Sequence, residues 1–134
     1  MDRFTKLREL GAGGYGAAFL VKRNTDAKEF VIKEVQEIKP WEKDYATEEA
    51  TKMKELRHVN IVRYEDAWFN DDETTFYILM EYCDQGDMQQ CIQDQNGCFF
   101  SERKIVAWAL QICNALKHCH DRNVLHRDLK VHLF

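Results

Sequence analysis

The run Gly11-Ala12-Gly13-Gly14-Tyr15-Gly16 has strand-like sequence on both sides, and this narrows the fold more than any other feature. Before it, residues 4–10 alternate Phe4, Lys6 and Arg8 against Thr5, Leu7 and Glu9. After it, residues 17–22 (AAFLVK) read as a second strand. A glycine run of this form in a dinucleotide-binding fold needs a strand before it and a helix after it. Strand on both sides asks instead for a β-hairpin with glycine at its tip. Glycine has no Cβ, so such a hairpin can lay backbone N–H groups over phosphates. Tyr15 at the tip would shield them from water.

The remaining pattern extends the sheet and then leaves it. Asn24-Thr25-Asp26 is a turn signal, and residues 29–35 (EFVIKEV) form a third strand. Pro40 interrupts. Residues 43–57 hold no Gly or Pro and carry Ala46, Ala50, Met53 and Leu56 at helical spacing, which predicts an amphipathic helix. Residues 62–69 and 75–82 are strands joined by the polar loop Asn70-Asp71-Asp72-Glu73. Residues 83–86 are a linker, 87–95 a short polar helix capped by Asp87, and 101–120 a longer helix capped by Ser101. The apolar stripe of the longer helix is Ile105, Trp108, Ile112, Leu116 and Cys119. The expected fold class is α+β, a five-stranded antiparallel sheet with one helix followed by further helices. Its expected divisions are a lobe at 4–82, a hinge at 83–86 and the start of a helical lobe at 87–134.

Lys33 stands inside an otherwise apolar strand. A cation directed to the core side of a sheet is costly unless an anion meets it. The candidates are nucleotide phosphates and a carboxylate on the following helix. Glu49 shares the inward face of Met53 and Leu56, whereas Glu48 is turned away from it by about 100°. The third element is His126-Arg127-Asp128-Leu129-Lys130, after the long helix. There Asp128 would accept the proton of an attacking hydroxyl, and Lys130 would neutralise charge on a moving phosphoryl group. His118-Cys119-His120 with His126 invites a metal site. His118 and His120 lie about 200° apart on a helix, so no metal site is expected there.

The formal net charge of -4 gives no basic surface for nucleic acid. No apolar run approaches the roughly 18 residues of a membrane span. The amino terminus carries no apolar leader segment. The five cysteines, Cys83, Cys91, Cys98, Cys113 and Cys119, form no CxxC pair and read as reduced thiols.

Together these motifs resemble the eukaryotic protein kinases, and within them the NIMA-related serine/threonine kinases. Leu10 to Gly16 resembles the family's Gly-rich loop, and Phe30-Val31-Ile32-Lys33-Glu34 its lysine strand. Leu56-Arg57-His58-Val59-Asn60-Ile61-Val62-Arg63-Tyr64 is similar to the segment after its regulatory helix. Tyr77 to Cys83 with Gly86-Asp87-Met88 is similar to its hinge. The resemblance covers residues 4 to 130 and implies ATP-dependent phosphorylation of serine or threonine in proteins. It implies that Leu10, Gly11, Ala12, Gly13, Gly14, Tyr15, Gly16, Ala18, Val31, Lys33, Met80, Glu81 and Cys83 surround the nucleotide. Met80 would stand at the back of the adenine pocket, and Glu81 and Cys83 would offer backbone groups to the base. Ala18 replaces the usual valine and should loosen packing on the base. Lys33, Glu49, Asp128 and Lys130 would be the catalytic set.

The resemblance stops after Lys130. The family's metal-binding asparagine has its place at Leu133, and no Asp-Phe-Gly occurs in these residues. Mg2+, expected for the family, thus lacks both of its protein ligands here. The reading is of a catalytically incomplete chain, with a noncatalytic nucleotide- or partner-binding fragment as the alternative. ATP is the expected small-molecule partner, the protein substrate is open, a chaperone is a further candidate partner, and neither nucleic acid nor membrane is expected. The expected location is cytoplasmic, with centrosome, cilium or nucleus suggested by resemblance alone. Residues 4–82 are expected to hold together, and 101–134 to be marginal. Ile105, Trp108, Ile112 and Leu116 facing water would forgo about 6–12 kcal/mol of burial.

Overall fold

A computed structural model describes residues 2–13 and 16–130. Five strands form one antiparallel sheet: β1 (Phe4–Gly13), β2 (Gly16–Arg23), β3 (Glu29–Val35), β4 (Tyr64–Phe69) and β5 (Phe76–Glu81), in spatial order β1-β2-β3-β5-β4. This is the expected sheet. The strands run into the glycine segment, however, rather than stopping at Leu10, with Gly11 opposite Ala18 and Gly13 opposite Gly16. Helix α1 (Lys43–Glu55) follows a 3-10 turn at Pro40–Glu42; α2 spans Met88–Asp94 and α3 Glu102–His120. The predicted helix over 43–57 ends two residues early, because Leu56 swings to ψ 72° and its N–H turns back to Met53 O. Both expected caps are present. Asp87 accepts the Gln90 N–H at 2.8 Å, and Ser101 accepts that of Lys104 at 3.4 Å.

The described residues fall into two units. One takes in the residues up to Arg57 together with Val62–Tyr82; the other takes in His58–Ile61 and the residues from Cys83 on. In the first, alternation along the strands separates two apolar faces. One face gathers Val21, Phe30, Ile32 and Leu79, with Phe4, Phe19, Trp68 and Tyr77 packed against them. Phe4 and Trp68 belong to the outermost strands of the sheet, yet their rings stack at 6.0 Å and 9°. The sheet is therefore curled until its two edges meet across this core. Arg3 reinforces the closure, lying 5.1 Å from the Trp68 ring and 3.4 Å from Asp66. The other face packs Phe76 and Ile78 against Ala50 of α1, with Ala46 and Met53 beside it. Lys43, at the start of α1, pairs with Glu73 in the β4–β5 loop and so fixes that end of the helix to the sheet.

In the second unit, Ala115 and Cys119 are the buried residues of α3. Of Ile105, Trp108, Ile112 and Leu116, expected to face water, only Ile105 does. Trp108, Ile112 and Leu116 are half-buried. Phe100 covers Trp108 edge-on at 4.9 Å, and Lys104 lies 4.8 Å from both rings. Neither cover was visible from helical periodicity. The segment His58–Ile61 belongs to this unit, and the His58 ring meets His118 at 5.0 Å.

The surroundings of His118 set a pH response. Its Nε2 is buried without a hydrogen-bond partner among the described residues, and Arg122 Nη1 lies 3.3 Å from Nδ1. Burial first, then the Arg122 cation and His58, hold the imidazole pKa below its ordinary 6.5. The unfolded chain therefore binds a proton that the folded site refuses. This contribution to stability is complete above pH 6.5 and is lost as pH falls from there through the depressed folded value. An NMR titration of the ring should give a midpoint under 6.5, and His118→Gln should reduce the acid sensitivity of unfolding. A midpoint at or above that value would refute the assignment.

Candidate functional site

The third strand places Lys33. Phe30, Ile32 and Glu34 point to the curled core and are buried, so Val31, Lys33 and Val35 point to the face that carries α1. Directly opposite Lys33 stand Ala18 on β2 and Ile78 on β5. Ala18 in turn faces Gly11. Val31, between Leu20 and Met80, lies on the same face one step further from the glycine end.

A cavity of 620 Å³ opens on this face. Gly13 and Gly16 border it at the hairpin, Lys33 and Ile78 at the sheet, and Tyr45, Ala46 and Glu49 on α1. Of the site residues expected from sequence, the structure thus gathers Gly13, Gly16, Lys33 and Glu49 around one space. Glu48 faces away and pairs with Lys52 at 2.7 Å on the exposed side of the helix. Lys33 and Glu49 do not reach each other as an ion pair among the described residues. The half-buried Lys33 side chain thus lines the cavity without forming an ion pair among the described residues. Leu10, Gly11, Ala12, Ala18, Val31 and Met80 lie on β1, β2, β3 and β5 but outside the lining of this cavity. Gly14 and Tyr15 lie outside the described residues.

Gly16 explains why β2 can approach β3 so closely here. Its φ is +114°, and a Cβ at this position would sit 1.8 Å from the carbonyl oxygen of Glu34. Only glycine lets the hairpin close down beside the residue that follows Lys33.

The cavity rim also carries charge that the sequence reading did not pick out. Lys39 adds a second cation, and Glu37 and Glu42 join the expected Glu49 as carboxylates. Among the described residues no three His, Cys, Asp or Glu side chains gather to hold a metal ion.

At the other end of β5, Glu81 accepts the Arg63 N–H at 2.7 Å, and its own N–H donates to Arg63 O at 3.0 Å. Tyr82 receives a hydrogen bond from Arg8 at 3.2 Å. Glu81 and Tyr82 help line a second space of 370 Å³ with Arg23, Lys28 and Phe30. In the second unit, Cys83 is exposed. Lys130 Nζ lies 2.8 Å from Asp128 Oδ2. The Asp128 N–H donates to His126 Nδ1 at 3.3 Å, and Arg127 between them holds φ 62°. A long side chain in that left-handed region is uncommon, and such strain gathers in functional loops.

A family model for the protein kinase domain matches residues 4–132. Among curated proteins, the chain is 38% identical over 132 residues to serine/threonine-protein kinase Nek1 of Mus musculus. It is 40% identical over 134 residues to serine/threonine-protein kinase Nek5 of Homo sapiens. It is 39% identical over 130 residues to serine/threonine-protein kinase Nek3 of Mus musculus. Each alignment takes in 97% of this chain but only 11%, 18% and 25% of the respective relative, so the chain spans at most a quarter of their length. No helix of the described residues is long and apolar enough to cross a membrane.

Proposed function

Because this chain belongs to the protein kinase family, on its NIMA-related serine/threonine branch, we propose that it carries the ATP-binding part of an enzyme that phosphorylates serine or threonine in proteins. One observation carries the reading. Lys33 projects from the α1 face of the sheet into a 620 Å³ space bordered by Gly13, Gly16 and Glu49. An ammonium there can meet phosphate oxygens, and hairpin amides can share the charge. Met80 and Val31, on the same face, are proposed to flank the base. The backbone groups of Glu81 and Cys83 are proposed to hydrogen-bond it. Glu49 would orient Lys33 once a nucleotide draws the two together.

Asp128 and Lys130 are proposed as the groups that orient the attacking hydroxyl and neutralise the moving phosphoryl. Their mutual pairing keeps both charges together until substrate arrives. Magnesium supplies charge neutralisation between phosphates when bound, and in protein kinases an Asp-Phe-Gly aspartate and a catalytic-loop asparagine hold it. Leu133 stands at the asparagine position, and Asp-Phe-Gly is absent from these residues. A polypeptide of these 134 residues is therefore proposed to bind nucleotide without transferring phosphate. A protein substrate and a chaperone are proposed as further partners. The cytosol, where the thiols stay reduced, is proposed as the place of action.

ATP titration of the wild type and of Lys33→Ala tests the site. Loss of a charge-assisted contact should weaken binding roughly 10- to 100-fold. Equal affinities would remove Lys33 from the phosphate site. Radiolabelled transfer to casein should stay at background for the 134-residue polypeptide, and turnover above background would overturn the noncatalytic reading.

A further inference from the structure

Glu34 is the one buried charged residue of the first unit among the described residues. It follows Lys33 directly, but its side chain points to the opposite face of the sheet. Its Oε1 lies 2.6 Å from Lys6 Nζ, with side-chain exposures of 8% for Glu34 and 43% for Lys6. The two residues are on β3 and β1, so the pair passes over β2. On β2, Lys6 stands beside Val21 and Glu34 beside Ala17. Between those positions is Phe19, whose ring lies 3.8 Å beneath the ammonium. The lysine thus reaches diagonally across an aromatic ring to a buried carboxylate.

The location matters because β1 is irregular at this point. Its register with β2 shifts between Lys6 and Arg8 and again between Glu9 and Gly11. Both irregularities fall between Lys6 and the glycine run. A bulge leaves one residue unpaired and re-aims the strand, and a one-residue slip sends every later side chain to the other face. Ladder hydrogen bonds alone therefore specify the approach to the hairpin weakly. A tie from β1 to the third strand, anchored beside Lys33, removes that freedom. The backbone of the same residue also receives the hairpin, since Glu34 O sits where a Cβ of Gly16 would fall. For stability alone, an apolar pair would serve as well as a buried ion pair. Direction and register are what the charges add.

We propose that Lys6 and Glu34 are a positioning pair, a strap across β2 that sets where the glycine hairpin lies over Lys33. The role rests on the nucleotide reading of the Lys33 cavity. Neither residue touches the ligand; both act through the hairpin and β3.

Three changes test it at a temperature where circular dichroism shows every variant folded: Glu34→Gln, Lys6→Met, and the exchange Lys6→Glu with Glu34→Lys. Without nucleotide, amide exchange at Gly11, Gly13 and Ala17 should rise in the single variants on the order of tenfold more than at Phe76–Glu81. ATP affinity should fall by about tenfold in the same variants, and the charge exchange should restore part of it. Lys6→Arg, which keeps the cation, should recover most of what Lys6→Met loses and covers the case in which the exchanged pair fails to fold. Hairpin exchange and ATP affinity both unchanged, with only the melting temperature lowered, would overturn the proposal. Lys33→Ala separates the two ideas. If it weakens ATP binding while Glu34→Gln does not, the strap falls and the cavity reading stands. If the wild type binds no ATP, the cavity reading falls and the positioning role falls with it.

Discussion

Gly16→Ala should lower the melting temperature of the first unit by roughly 10–25 °C, while Gly13→Ala changes it little. The two glycines sit opposite each other in the β1–β2 pair, yet their surroundings differ. At Gly13 a new Cβ meets nothing within 4 Å. At Gly16 it would meet Glu34 O at 1.8 Å, Glu34 C at 2.9 Å and Val35 Cα at 3.2 Å, all of them backbone. No side chain can turn aside to relieve that overlap. The backbone itself, at φ +114°, is also barred to alanine. Strain and overpacking of this kind cost about 1–3 kcal/mol each. Summed, they approach the lower end of the roughly 5–15 kcal/mol that holds a typical domain together. The relief available is to lift β2 away from β3, which also raises the hairpin from Lys33. ATP affinity should therefore fall with stability in Gly16→Ala, and both should be retained in Gly13→Ala. Thermal melts and nucleotide titrations of the two variants decide this; similar melts for both would show that the close approach at Gly16 is not maintained in solution.

The contrast between Lys33 and Glu34 shows what the sequence made legible. Lys33 stood out because a cation among Phe30, Val31, Ile32 and Val35 breaks an apolar pattern, and burying charge is costly enough to demand a reason. Glu34, one more charged residue near the end of the strand, carries no such local signal. Its burial depends on Lys6 arriving from β1, far away in the chain, and no local pattern reports such a partner. The clue available was alternation. Phe30, Ile32 and Glu34 share one face, so if Phe30 and Ile32 are core, Glu34 is carried in with them. The same limit hid the stacking of Phe4 on Trp68, since curling of a sheet depends on accumulated twist rather than on any one strand. The choice of Glu49 over Glu48 for the cavity side needed only the helical period. Whether Glu49 pairs with Lys33 needed the distance between α1 and β3, which the period does not supply. Likewise, composition places the whole glycine run at the hairpin tip, whereas pairing with β2 draws Gly11 and Gly13 into the ladder.

Ile32 offers the sharpest separation of scaffold from site. It is fully buried at 0% exposure, between Phe19 on β2 and Leu79 on β5, in the cluster with Val21 and Phe30. Ile32→Ala should destabilise the first unit by about 2–5 kcal/mol through lost transfer energy and the cavity left behind, and Ile32→Val by about 0.5–1.5 kcal/mol. In a unit of this size the alanine change corresponds to a melting temperature lower by roughly 10–30 °C. The neighbouring residue should behave in the opposite way. Lys33 is half-buried and forms no ion pair among the described residues, so removing its ammonium breaks no charge pairing of the fold. Lys33→Ala should leave the unit as stable as wild type or slightly more so, while losing ATP affinity. Residues that serve a ligand at the expense of the fold commonly show this trade. Measured at a temperature where Ile32→Ala is still folded, its ATP affinity should stay near that of wild type, because β3 keeps its register through its pairings with β2 and β5. The pair of variants thus places stability on one side of the strand and binding on the other. Equal loss of binding in both would mean that the cavity has no specific use for the Lys33 charge; a melting temperature lowered equally by both would mean that Lys33 is part of the core rather than of the site.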